Sequence, residues 1–372
     1  TKKNFEIGLL NQVTGELLTN NTLRISDKTS RFELIPPKIQ FAKNLKGKNL
    51  WKKEFPRAYK EEKILKIPEG KYFISKDLVF PKDSTVVLNA GAEVYLGGDV
   101  GILIKGSLIV EGEKDKPVII KAKNPKIPFG TVAVLGTGKE SSKINFLKLS
   151  NGSEKWMNGA YFSGALSIHY QKEVEIKNSE FSEGHADDGI NIKFSKVNLR
   201  KNVFYNNYAD QVDLDFCKGI VRDSNFLYEI KGDNNGDGLD ISGSQIIALG
   251  NLFSSFNDKG ISVGEKSKIY ITKNRFYKNN VGSAVKDSSN AYFRKNNFSQ
   301  NQKDIQVYQK KNIFGGASIF LNETMKSKLL INSDRRSQVK FLPKDFEKDK
   351  PWIQDYSENI FENFSKLKEI EN

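Results

Sequence analysis

The sequence is poor in the residues that build most redox, disulfide and metal sites. It holds one cysteine, Cys217, in 372 residues, which rules out an internal disulfide framework and a cysteine-rich zinc module. Its two histidines, His169 and His185, are too few for a multi-histidine metal centre. No stretch approaches the ~18 consecutive apolar residues of a membrane-spanning helix. Nor does a charged-then-apolar leader open the chain at Thr1, so any secretion signal is expected to have been removed or never present. With 38% hydrophobic residues and a mean hydropathy of -0.52, the chain reads as soluble. What it has in excess is lysine. Lys plus Arg number 59 against 45 Asp plus Glu, a formal charge of +14. Such a surplus attracts polyanions, but the lysines are scattered and no nucleic-acid motif accompanies them. They read as a wet surface rather than a nucleic-acid interface.

Beneath this composition lies a repeat. The segments "EVEIKNSEF", "KVNLRKNVF", "GIVRDSNF", "IIALGNLF", "KIYITKNRF" and "NAYFRKNNF" each alternate apolar and polar residues and end in a phenylalanine. Alternation marks a strand with one buried face. The phenylalanines, Phe181, Phe204, Phe226, Phe253, Phe276 and Phe298, recur at spacings of 23, 22, 27, 23 and 22 residues. Two places before each stands Ser179, Asn202, Ser224, Asn251, Asn274 or Asn296. A unit this short cannot bury its own apolar face, so successive units must stack. Rungs ~4.8 Å apart then bring Phe onto Phe and Asn onto Asn.

On these residues the chain resembles the pectin-lyase-like superfamily of right-handed parallel β-helices. The resemblance implies an all-β solenoid over residues 61–320. Residues 1–60 lack the period and are expected to form an N-terminal strand-rich module or cap. Residues 321–372 form a C-terminal extension, in which Ile360, Phe361, Phe364 and Leu367 share one helical face behind Ser357 as N-cap. That helix is expected to cover the open end of the solenoid.

One strand of each coil is unusual. Aligned, these strands read "GALSIHY", "DGINIKF", "DQVDLDF", "DGLDISG" and "KGISVGE". Between buried aliphatics, the outward positions carry Ser167, Asn191, Asp213, Asp240 and Ser262. A second outward column reads His169, Lys193, Asp215, Ser242 and Gly264, and the preceding turns hold Gly164, Asp188, Asp210, Asp237 and Lys259. Asp is a poor strand former, and carboxylates on neighbouring rungs repel unless protonated or bridged by a cation. Turn geometry accounts for Asp at 188, 210 and 237; it does not account for Asp213 and Asp240.

Three uses suit such a patch. A glycoside hydrolase needs one protonated and one ionised carboxylate. Asp213 and Asp240, one rung apart, match the shorter retaining separation, and diagonal pairs approach the inverting one. A lyase or epimerase on a uronate polymer needs a cation such as Ca²⁺, held by Asp210, Asp213, Asp215, Asp237 and Asp240. It also needs a base, for which Lys193, Lys259 and His169 stand at the edge. The third use is Ca²⁺ as a structural ion that serves the fold alone. Trp156 and Tyr161, in an insertion ahead of the patch, are candidates to bind sugar rings, with His169 and Asp188. "NGDGLDISGS" resembles the first acidic motif of polygalacturonase-type glycoside hydrolases, which implies acid-region roles for Asp237 and Asp240; the family's Gly-His-Gly motif and Arg-x-Lys clamp are missing. The expected function is processing of an acidic or amino-sugar polysaccharide, secreted, at the cell surface or in the periplasm. The alternative is a non-catalytic β-helix for adhesion, assembly or glycan binding.

Overall fold

The structure, a computed structural model, describes residues 50–229, 236–322 and 328–342, together with four short N-terminal strands within 4–24. Those strands form two antiparallel pairs, Asn4–Glu6 with Thr22–Arg24 and Leu9–Leu10 with Leu17–Leu18. From Ile64 to Leu342 the chain winds as a parallel β-solenoid. A representative coil consists of the strands Asp210–Asp215, Lys218–Arg222 and Asn225–Leu227. Each pairs in parallel with its counterpart in the coils before and after. The solenoid continues past residue 320, because Ile331–Ser333 and Gln338–Leu342 pair in register with the preceding coil. The expected C-terminal helix, Ser357 to Leu367, lies outside the described residues.

The spacing seen in the sequence becomes vertical contact. The six phenylalanines pair in register, and the ring centroids of Phe204–Phe226 and Phe226–Phe253 stand 4.7 and 4.6 Å apart. The polar column beside them is a hydrogen-bond ladder. The backbone N–H of Ser224 donates to Asn251 Oδ1, that of Asn251 to Asn274 Oδ1 and that of Asn274 to Asn296 Oδ1, at 2.8 to 3.0 Å. Such bonds satisfy corner amides that the sheets leave unpaired.

Why the corners hold can be read locally. At this corner a two-residue connection begins with a residue in the left-handed region, such as Asn178, Lys201, Asp223 or Lys273, followed by the ladder residue. A second corner repeats the device with Ser195, Cys217, Ser244, Ser267 and Ser289. The Cys217 N–H donates to Ser244 Oγ, and the next two rungs continue in the same way. Cys217 is therefore a member of a serine ladder. Its thiol donates to Ile192 O, and burial pushes its pKa up to about 12. The residue before it, Phe216, points to solvent (55% exposed), where Tyr170, Phe194 and Phe216 stack outside the coil.

The first coil is closed by the short helix Leu50–Glu54. Trp51, Phe55 and Ala58 pack against the core there, and the Phe55 ring lies 5.3 Å from that of Tyr72. A terminal repeat needs such a cover, having no further rung to bury it.

Candidate functional site

The outward columns align as the alternation requires. Ser167, Asn191, Asp213, Asp240 and Ser262 pair in sequence, as do His169, Lys193, Asp215, Ser242 and Gly264. Leu166, Ile168, Ile190, Ile192, Val212, Leu214, Leu239 and Ile241 point into the core. Asp188 pairs with Asp210 one rung on. Asp237 follows on the next coil, and Gly236 and Gly238 flank it for lack of room. A Cβ on Gly236 would sit 2.2 Å from Ala209 O, and one on Gly238 2.5 Å from Gly260 O. The motif "GDGLD" thus presses Asp237 against its neighbouring coils.

Each carboxylate has its own partners. Asp213 Oδ2 accepts from Asn191 Nδ2 at 2.8 Å, and Asn191 Oδ1 lies 2.8 Å from His169 Nε2. With the amide oriented so, the imidazole Nε2 is the donor, completing a buried His169–Asn191–Asp213 chain. Asp215 is paired with Lys193 at 2.7 Å. Asp210 Oδ1 accepts the Asp237 N–H at 2.7 Å. The Lys259 ammonium, almost wholly buried, reaches both Asp237 oxygens at 3.0 and 3.3 Å and also binds Asp258.

Burial and crowding of like charge shift these groups together. Burial, and then the neighbouring carboxylates, hold Asp188, Asp210 and Asp213 well above the ordinary Asp value. Burial also raises Asp237, to about 6, although Lys259 pulls it back. Burial works against the charge on Lys193 and Lys259, but their carboxylate partners outweigh it and hold both above the usual lysine value. Both lysines are therefore ammonium ions and acid partners, not bases.

His169 stands in an outward column but is not solvated. It is only 7% exposed, because the Phe162 ring lies against it at 5.3 Å. Burial lowers its pKa to about 4, the bond to Asn191 opposing this only in part. Between about pH 6.5 and about pH 4 the unfolded chain thus binds a proton that the folded chain does not. The stability due to neutral His169 is complete above this window and is lost as pH falls through it. On acidification from pH 7 to 4.5, the wild type should lose about 2.4 kcal/mol more than His169→Gln. Denaturant titrations at the two pH values check this, and equal losses would contradict it.

The acidic patch is bordered on one side by the antiparallel hairpin Lys155–Met157 and Ala160–Phe162. Met157 and Phe162 pack on the outward residues Leu103 and Ala133, which fixes the hairpin to the preceding coils. Its Trp156 and Tyr161 remain exposed, with rings 5.3 Å apart. Tyr161 is close enough to Asp187 and Asp188 for their charge, after burial, to raise its pKa. On the far side stand residues that the strand alignment did not single out. Lys286, buried, donates to Ser262 Oγ at 2.7 Å and lies 3.9 Å from Asp240 Oδ1. Asp258 shares Lys259 with Asp237, and Tyr308 is near enough to feel Lys286 and Lys259. The signal for Lys286 was present in "SAVKDSS", where it occupies the His169 column.

Of the five aspartates expected to surround a cation, the structure brings three together. Asp210, Asp237 and Asp240 each offer an oxygen within 4.8 Å of the other two. Asp213 and Asp215 are outside that triangle, one turned to Asn191 and the other to Lys193.

The family model described as "Right handed beta helix region" matches residues 188–324, the coils that carry this groove. Together with the parallel stacking, it gives the fold as a right-handed parallel β-helix. No curated protein sequence matches the chain. Similar solved structures include a double mutant of the periplasmic alginate epimerase AlgG, at 11% identity and TM-score 0.49, over 77% of this chain and 78% of that one. Another is the A-module of the Azotobacter vinelandii mannuronan C-5 epimerase AlgE6, at 10% identity and TM-score 0.43, over 75% and 90%. A third is an alginate lyase from Paenibacillus, at 10% identity and TM-score 0.30, over 73% and 98%.

Proposed function

We propose that the groove binds an acidic polysaccharide and hydrolyses a glycosidic bond, with Asp213 as general acid and Asp240 as the second carboxyl group. The observation that carries this reading is the Asp213–Asp240 pair on adjacent rungs. A mid-strand carboxyl whose pKa is raised by burial and by neighbouring carboxylates stands beside a second carboxyl that lies 3.9 Å from the Lys286 ammonium. Neighbouring rungs place carboxyls ~5 Å apart, the separation of retaining hydrolysis. Asp213 would protonate the leaving oxygen while Asp240 attacks the anomeric carbon; the Asp213 carboxylate would then take a proton from a water that displaces Asp240, which restores both groups, and the Asn191 bond aims the acid. β-Elimination is less well served. It needs an unprotonated base, and Lys193 and Lys259 are held as cations while His169 is buried under Phe162. Those lysines, with Lys286, suit the carboxylates of an acidic sugar, and Trp156 and Tyr161 suit its ring faces. Asp188 lines the same floor. The reading includes a setting outside the cytoplasm, where such polymers are met.

Calcium belongs to the same proposal. Oxygens within 4.8 Å of one another suit an ion with ligands at ~2.3–2.6 Å. Asp210, Asp237 and Asp240 would each give one oxygen, leaving the second Asp240 oxygen to the groove. Millimolar Ca²⁺ should raise the melting temperature by a few degrees and EDTA should reverse it. Calorimetric titration without heat, and a melt indifferent to EDTA, would remove the ion from the proposal. The hydrolysis itself is tested by incubating the protein with uronate, amino-sugar and neutral polysaccharides. New reducing ends without ultraviolet-absorbing unsaturated ends are expected. Unsaturated ends would establish elimination instead, and binding without either product would establish a glycan-binding module.

A further inference from the structure

His169 is a buried imidazole for which the proposed hydrolysis has no step. It stands on the strand Gly164–His169, with Asn191 on Asp188–Lys193 and Asp213 on Asp210–Asp215, on successive rungs. Strand register places Asn191 beside Asp213, but it places Lys193, not Asn191, beside His169. The imidazole therefore leans diagonally into the neighbouring column, with the Phe162 ring against it, and Nε2 comes within 2.8 Å of Asn191 Oδ1. Asn191 Nδ2 in turn donates to Asp213 Oδ2 at 2.8 Å. Asn191 is fully buried, so water cannot replace either partner. Asp213 is only partly buried, and among the described residues nothing hydrogen-bonds to its Oδ1.

The chemistry of the three groups couples them. A primary amide donates from one end and accepts at the other, and a carboxylate only accepts. Once Asp213 has given up its proton, Asn191 must therefore turn Nδ2 to it and Oδ1 to His169. An imidazole facing that oxygen has to carry its proton on Nε2. The other neutral tautomer, protonated on Nδ1, presents a bare Nε2 that only accepts. It would draw Nδ2 to itself and leave Oδ1 facing Asp213. A protonated Asp213 would then donate from Oδ2 to Asn191, and its proton would be held by the protein rather than offered to a leaving group. Burial and, less strongly, the Lys193 ammonium oppose a second proton on the ring; Asn191 and Asp215 pull the other way without prevailing.

We propose that His169 is a positioning residue for the hydrolysis: as the Nε2–H tautomer it fixes the Asn191 amide, which holds Asp213 Oδ2 as an acceptor and confines the transferable proton to Oδ1. This rests on Asp213 being the general acid, and adds which of its oxygens gives the proton and what selects it. The same oxygen takes the proton back from water in the second half of the cycle. Phe162 belongs to the arrangement, because its ring keeps water from competing for the imidazole.

The chain has only two histidines, so the tautomer can be read by NMR without turnover. In full-length protein with isotope-labelled imidazole nitrogens, and with His185→Asn to assign the signals, His169 should carry its proton on Nε2 at neutral pH. Kinetics on the panel polysaccharide that the wild type cleaves fastest supply the second arm. His169→Leu, apolar beneath Phe162 and unable to donate, should lower kcat roughly 10- to 100-fold with KM unchanged, as a misaimed acid does. His169→Gln, whose amide N–H reaches the Nε2 position, should restore kcat to near the wild-type value. The Nδ1–H tautomer, an undiminished kcat in His169→Leu, or a Gln variant as slow as the Leu one would each overturn the assignment and leave Asp213 as the acid. The tautomer is measured with His169 in place, so it decides even where His169→Leu fails to fold. A wild type without turnover would instead remove the hydrolysis itself, and this role with it, whichever tautomer is found.

Discussion

Replacing Asp213 with Asn should lower turnover of the polysaccharide roughly 10²–10⁴-fold, the usual effect of losing a general acid. Asp240→Asn should fall as far, because an amide can neither attack nor stabilise developing positive charge. Neither variant is expected to melt lower. An amide fills the same volume and removes a carboxyl from a floor where neighbouring carboxylates repel, and the bond between Asn191 and residue 213 survives. If Lys193 holds substrate charge as proposed, Lys193→Met should raise KM more than it lowers kcat. Initial rates of reducing-end release, with melting curves on the same samples, separate these effects. Wild-type rates in both aspartate variants would end the assignment of this pair.

The largest effect on stability is expected from the phenylalanine stack. Phe226 is fully buried between the rings of Phe204 and Phe253. Phe226→Ala should cost ~3–5 kcal/mol, from lost transfer energy and the cavity left between two rungs that cannot close. Phe298→Ala is the internal control. Its ring touches Phe276 within the stack but lies at the end of the column and is not fully buried, so its loss should be markedly smaller. Stability in a repeat array is a sum of rung and interface terms. Hydrogen exchange should therefore rise first in the coils next to residue 226. Denaturant midpoints for the two variants check the ranking, and equal losses would mean that the stack does not hold the coils together.

Much of this architecture could be read from the residues alone, for a specific physical reason. In-register parallel stacking turns a sequence spacing directly into a contact, so Phe204 meets Phe226 and Asn251 meets Asn274 as their intervals require. The same rule placed Asp213 beside Asp240. Lateral contacts obey no such period. His169 is buried because Phe162 arrives from a hairpin, and a loop folding over a sheet leaves no column in the sequence. Lys286 crosses two rungs toward Asp240 on a long, flexible side chain, which strand alignment cannot trace. The serine ladder through Cys217 did carry the coil period. It was hidden because Gln171, whose N–H donates to Ser195 Oγ, and Cys217 interrupt the serines and because Phe216, an apolar residue, faces outward at the adjoining corner.

The three corners of the coil differ in how much length they tolerate. Between Lys177 and Arg294, the corner lined by Asn202, Asn251 and Asn274 has two residues in every coil, and the corner of Ser195, Cys217 and Ser244 has two or three. The corner that leads into the groove strands ranges from three residues, 278–280, to eleven, 228–238. Insertions there leave both ladders in step, since the next strand regains its register whatever precedes it. The rim of the groove is thus the place where a different loop could be grafted. Substrate choice could then be altered by changing the length and sequence of this one series of connections, while the floor and the coils beneath it stay as they are.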